Sequence, residues 1–147
     1  MKTVKNKYQK PNSVKELENA YFEYERRQHP DFPYPVKKKF RDDSANGLTK
    51  AIQAWFKCHN GFAARVNTTG IYDTKTGKYR LSGATKGVAD IVGTYRGRSV
   101  SVEVKIGRDR QSNAQMKYQR QIEAAGGVYI IASSFDNFLK QIQLWEI

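Results

Sequence analysis

The sequence predicts an α/β domain, a central mixed β-sheet flanked by helices and preceded by a basic, partly helical extension. Three observations carry that expectation. Apolar residues recur at helical spacing in residues 44–59 and again after Ser112. Between those stretches lie short runs rich in β-branched residues and broken by glycine, the pattern of strands and hairpins. The last apolar strand, residues 128–132, follows a helix, so a crossover should return it parallel to a neighbour. At 147 residues with no internal repeat, the chain fits one domain of ordinary size.

Taken in order, residues 1–45 hold 11 basic and 7 acidic side chains, with four basic ones and no acid in the first ten positions. That start reads as a mobile basic arm. Ser13 is placed to cap a helix over residues 14–28, whose Val14, Leu17, Tyr21 and Tyr24 share one face. His29-Pro30 and Phe32-Pro33-Tyr34-Pro35 end it, and Lys37, Lys38, Lys39 and Arg41 follow in a linker or strap. Residues 1–43 therefore read as an extension and residues 44–147 as the core. Leu48, Ile52, Trp55 and Phe56 define a helix over 44–59, closed by Asn60-Gly61. A strand over 62–69, a hairpin over 71–82 around Thr76-Gly77, and strands over 88–95 and 98–106 follow. Ser112 then opens a helix that carries Met116, Tyr118, Ile122 and Ala125 and ends at Gly126-Gly127. The strand 128–132 and a short helix over 135–142 complete the reading.

Charge and cysteine usage narrow the function. Lys and Arg number 26 against 14 Asp and Glu, a net charge of +12, which favours a polyanionic partner over a neutral metabolite. No apolar run approaches the roughly 18 residues that span a bilayer, and the start lacks the apolar block of a signal peptide. No membrane is expected as partner. A single cysteine, Cys58, allows no internal disulfide, and with two histidines the soft ligands of a structural zinc site are too few. A cytoplasmic setting fits.

The chemistry-bearing residues cluster around Arg96-Gly97. If that pair is a two-residue hairpin turn, Asp90 lies directly opposite Glu103. Ala89, Ile91 and Gly93 then oppose Val104, Val102 and Val100 on the core side, while Asp90, Glu103 and Lys105 point the other way. A three-residue loop would shift the pairing by one and separate the carboxylates; a four-residue loop would restore it. Two carboxylates opposed in a sheet repel, with Cβ atoms roughly 4.5–5.5 Å apart, so a neutralising partner is expected, and a divalent cation is the natural one. The same residues also read as the solvated face of an edge hairpin bearing a Glu103–Lys105 surface ion pair.

Three motifs separate these readings. G-V-A-D at Gly87 to Asp90, E-V-K at Glu103 to Lys105 and S-x-x-Q at Ser112 to Gln115, in that order and spacing, resemble the PD-(D/E)XK nuclease superfamily, and within it the VRR-NUC branch. The likeness covers about residues 51–133, and archaeal-type Holliday-junction resolvases share much of the same plan. It implies a restriction-endonuclease-like core and a Mg²⁺- or Mn²⁺-dependent deoxyribonuclease that leaves a 5′-phosphate and a 3′-hydroxyl. Asp90, Glu103 and the backbone carbonyl of Val104 would hold the metal, and Lys105 would orient or stabilise the attacking hydroxide. Gln115 resembles the family's helix glutamine, and the Ser112 hydroxyl would touch a phosphate or the metal-bound water. Ser112 and Gln115 equally form a capping box.

The family's acidic residue on the first core helix is missing: no Asp or Glu occurs between Ala45 and Asn60, where Lys50 and Gln53 stand instead. One metal per site is the expectation, with Gln53, or Glu16, Glu18, Glu23 or Glu25 of the first helix, as further ligands. Arg65 and Asn67, then Arg108, Arg110 and Lys117, are expected to contact the nucleic acid backbone, and Tyr34, Phe40 or Tyr118 to stack on unpaired bases or to pack the core. The partner is DNA, branched or otherwise structured, cut by a possible homodimer across a two-fold axis. A flap, duplex-repair or restriction-like nuclease uses the same centre. A catalytically silent nucleic-acid-binding module explains the charge without it.

Overall fold

A computed structural model describes residues 6–67, 70–80 and 83–146. In it the patterns resolve into α1 (Asn12–Gln28), α2 (Ala45–Cys58), β1 (Phe62–Arg65), β2 (Ile71–Asp73), β3 (Lys78–Arg80), β4 (Ile91–Tyr95), β5 (Arg98–Val104), α3 (Asn113–Ala124), β6 (Val128–Ala132) and α4 (Phe135–Gln143). The larger sheet has the order β1-β4-β5-β6. Its first two pairings are antiparallel and β5 runs parallel to β6, reached through α3. The sheet is thus mixed, with helices on both faces. No helix among the described residues is long and apolar enough to cross a membrane.

The hairpin register follows from its turn. Arg96 and Gly97 both take positive φ, 49° and 77°, the conformation of a two-residue turn whose twist matches its strands. Tyr95 consequently pairs with Arg98 and Ile91 with Val102, and the three-residue alternative is excluded. Alternation then sends Val100, Val102 and Val104, with Val128, Ile130 and Ala132 of β6, into the main core against Leu48, Ile52, Phe56, Phe135 and Phe138.

Several boundaries differ from expectation. α1 begins at Asn12 after Pro11, whose carbonyl accepts from the Val14 and Lys15 N–H groups at 3.2 Å each. Ser13 therefore sits inside the helix, and its hydroxyl is buried without a hydrogen-bond partner instead of capping. β1 stops at Arg65, so Asn67 lies beyond the strand, and residues 68–69 fall outside the described ones, as do residues 81–82 at the end of the expected hairpin. β4 starts at Ile91, not 88, because the Asp90 side chain takes the Val104 N–H that would otherwise extend the ladder.

Residues 12–28 are no appendage. Val14, Leu17 and Tyr21 are buried in the same core as the sheet. The strap from Lys37 to Asp43 is fixed by polar ties: Lys10 and the Phe40 N–H both bond the buried Glu18, and Asp42 accepts from the Tyr8 hydroxyl at 2.7 Å and the Phe135 N–H at 3.1 Å. The expected extension shares its core with residues 44–147.

α3 carries Met116, Tyr118 and Ile122, yet none of its residues is fully buried, and Met116 is 37% exposed. The face beneath it explains this. α3 covers the second side of the sheet, where β5 presents Ser101 and Glu103, and Ser101 meets the Tyr118 hydroxyl at 3.2 Å. A helix over a polar face gains its contacts from hydrogen bonds and needs little apolar stripe.

Candidate active site

Asp90 stands one residue ahead of β4, where three strands meet. Its Oδ2 accepts from the Val104 N–H at 2.8 Å, and its carbonyl accepts from the Val66 N–H at 2.8 Å. One aspartate therefore ties the ends of β1 and β5 to the start of β4. Strand residues present their N–H and C=O on the same edge, so the Val104 carbonyl also faces the Asp90 side.

Glu103 continues the register opposite Asp90, but it is not solvated. β5 is an interior strand with α3 laid over it, and Glu103 is only 2% exposed. Its Oε1 accepts from Gln115 Nε2 at 2.8 Å and lies 3.6 Å from Lys105 Nζ. Its Oε2 is buried with no hydrogen-bond partner. Burial, and then the charge of Asp90, push the Glu103 carboxyl up to about 8, against the opposing pull of Lys105. Lys105 itself is held between Glu103 and Asp109, whose Oδ2 is 3.5 Å away. The surface ion-pair reading of Glu103 and Lys105 is therefore set aside, because both side chains are largely withdrawn from water.

Gln115 serves two ends of one bond chain. Its Oε1 accepts from the Ser112 N–H at 2.8 Å while the Ser112 hydroxyl accepts from the Gln115 N–H at 3.2 Å, a complete capping box. Its remaining Nε2 is what reaches Glu103. Cap and site contact coexist because the amide carries both an acceptor and a donor. Gly87 makes the approach possible: it has φ +81°, and a Cβ there would sit 2.3 Å from the Ala114 carbonyl oxygen. The G-V-A-D loop thus lies directly against the first turn of α3.

Sequence reasoning missed Tyr129. It lies on β6 opposite Ser101, on the Glu103 side of the sheet, and its hydroxyl accepts from Gln111 Nε2 at 3.3 Å. Burial is the main cause that raises its pKa to about 12, with Glu103 and Asp90 adding to the rise. The available signal was a phenol at an odd position of a strand whose even positions are aliphatic.

The expected backbone contacts are brought together only in part. Arg65 pairs with Ile91, next to Asp90, and bonds Asn46 of α2 at 2.6 Å. Asn67 is exposed one residue beyond Val66. Arg108 and Arg110 are exposed in the loop after Lys105, Arg110 folding back onto Asp109. Lys117 is exposed on α3 but two residues after Gln115, and i, i+2 positions do not share a helical face. Of the other suggested ligands, Glu18 is bound by Lys10 and Glu25 by Lys38.

Among the described residues, no group of three or more His, Cys, Asp and Glu side chains converges as a metal cage. The Asp90 and Glu103 carboxylates do lie close enough to interact, and the unpartnered, buried Oε2 of Glu103 is the feature a cation would satisfy. The donor set fits one hard divalent ion completed by water and phosphate. Two surface depressions lie elsewhere, of about 680 Å³ beside Phe22 and Pro33 and about 230 Å³ beside Leu17 and Trp55. No protein-family model matches the chain, and neither curated proteins nor solved structures yield a match.

Proposed function

We propose that the chain is a Mg²⁺- or Mn²⁺-dependent endonuclease of PD-(D/E)XK type that hydrolyses DNA phosphodiester bonds, with branched DNA as its preferred substrate. One observation carries the reading: Asp90 and Glu103 share a sheet end with the buried Glu103 Oε2 left unpaired, while Lys105 and Gln115 hold the other oxygen. A net charge of +12 supplies the affinity for a polyanion.

Asp90, Glu103 Oε2 and the Val104 carbonyl would hold the cation. When bound, it stabilises charge on the scissile phosphate and acidifies water. Gln115 fixes the Glu103 rotamer, so the free oxygen is aimed before substrate arrives. Lys105 lies at the same carboxylate and offers its ammonium to the charge that grows on the phosphate in the transition state. Arg65, Arg108 and Arg110 position the DNA backbone, and a homodimer would present two such centres to a junction.

The test is a cleavage panel of four-way junction, flap, duplex and single-stranded DNA with Mg²⁺, Mn²⁺ or EDTA. The expected outcome is metal-dependent cutting, strongest on branched DNA, that falls at least a hundredfold in Glu103→Ala while DNA affinity changes less than threefold. Equal cutting by that variant would sink the proposal. A silent nucleic-acid-binding module is the second reading, favoured by the absence of a third converging acid among the described residues. Salt-sensitive binding without any cutting would establish it.

A further inference from the structure

The hairpin of β2 and β3 stands apart from the rest of the fold. Its strands pair only with each other as a separate two-stranded sheet, and neither makes extensive contact with another element. Such a hairpin is marginal in water by itself, yet it carries two large aromatic side chains outward. Tyr72 and Tyr79 are directly opposed in the register, so they share one face; their rings lie 5.1 Å apart and are 52% and 72% exposed. Around them residues 70–89 hold Lys75, Lys78, Arg80 and Lys86 against the single acid Asp73, whose Oδ2 engages only Arg80 among them, at 3.3 Å.

The chain ties this hairpin to the candidate site from both sides. Val66, whose N–H bonds the Asp90 carbonyl, precedes Ile71 by five residues, a reach of at most about 18 Å. On the other side the chain from Arg80 leads through Gly87, packed on α3, to Asp90 itself. Whatever polyanion lies at Asp90 and Glu103 is therefore within range of a basic arm with an open aromatic face. Two exposed phenol rings flanked by lysines match a surface on which unpaired bases stack while the ammonium groups hold the phosphates.

We infer that the β2–β3 hairpin is a substrate-reading arm: Tyr72 and Tyr79 stack on an unpaired base of DNA next to the scissile phosphate, and so select branched or gapped DNA over continuous duplex. The inference rests on the nuclease reading for its substrate, but stacking itself needs no catalysis.

Fluorescence anisotropy in EDTA, where nothing is cut, separates the two. Full-length protein is titrated with a flap, a duplex carrying a short single-stranded gap, and a matched duplex. Tyr72→Ala/Tyr79→Ala is expected to lose about tenfold to a hundredfold in affinity for the flap and gapped DNA, and under threefold for duplex. Tyr72→Phe/Tyr79→Phe is expected to keep wild-type affinity, because the ring and not the hydroxyl stacks. The dependence on salt should stay unchanged in both, since the phosphate contacts remain. Wild-type affinity of the alanine variant for the flap, an equal loss on all DNAs, or a change of its oligomeric state by light scattering would overturn the inference, the last by assigning the rings to contact between copies. A wild type that shows the stacking preference yet never cuts would refute the nuclease reading and leave the arm standing.

Discussion

A carboxylate beside a second carboxylate, roofed by a helix and left with one unbonded oxygen, is electrostatically costly unless a proton or a cation joins it. Glu103 is in that position, and its folded-state value of about 8 lies above its ordinary 4.5. Between those values the folded chain binds a proton that the unfolded chain has released. Stability is therefore greatest below about pH 4.5 as far as this group is concerned, and falls as pH rises through about 8, by up to about 1.4 kcal/mol per pH unit. Thermal melts in EDTA should show this decline, Glu103→Gln should flatten it, and Mn²⁺ should offset it by favouring the ionised form. Melts of wild type and Glu103→Gln with the same pH slope would show that Glu103 titrates normally. Gln115 offers a second test at this scale. Ser112→Ala removes half of the capping box and should cost about 1 kcal/mol with activity nearly intact. Gln115→Ala should cost a similar amount but also weaken Mn²⁺ binding and cleavage about tenfold, since only it frees Glu103; equal activity in the two variants would reduce Gln115 to a cap.

Elements matter to the site through where they end. Just before the Asp90 side chain that ends the β4 ladder, Gly87 turns the chain at positive φ and presses it on Ala114 of α3. Gly87→Ala would force either the loop or the helix start to move, at about 2–3 kcal/mol from clash and strained backbone together. Denaturant unfolding should register that loss, with a drop in cleavage that exceeds what Ser112→Ala causes at equal stability. Much of this arrangement was legible in the sequence. Arg96-Gly97 specified the turn, the turn specified the register, and alternation then placed Asp90 and Glu103 on one side. Ser112 marked a helix start through cap chemistry that is local in the chain. Less legible were the features set by distant partners. The Ser13 cap failed because Pro11 started the helix two residues earlier, and the burial of Glu103 depends on α3 lying over it. Nothing local to Tyr129 shows that a glutamine and two carboxylates surround it.

At the scale of the whole molecule, the division between a basic extension at residues 1–43 and a core at residues 44–147 does not follow the packing. Removing residues 1–43 would strip Val14, Leu17 and Tyr21 from the single core. It would also strip Asp42 from the Phe135 N–H, a bond that joins the strap to the first turn of α4. Burial of three large side chains contributes on the order of 5–9 kcal/mol, comparable with the whole stability of a typical domain, about 5–15 kcal/mol. The charge argument runs the other way: residues 1–45 carry 11 basic and 7 acidic groups, and neither of the last two residues is charged, so the truncation takes away only +4 of the net +12. Electrostatic affinity for DNA should largely survive, whereas the fold should not. The expected result for the chain of residues 44–147 is a loss of near-ultraviolet circular dichroism and of a cooperative thermal transition, with any residual DNA binding strongly salt-dependent and without preference for branched substrates. A truncated chain that melts cooperatively within a few degrees of the full-length protein and still cuts would establish residues 44–147 as a domain in its own right and reduce α1 to a dispensable cover.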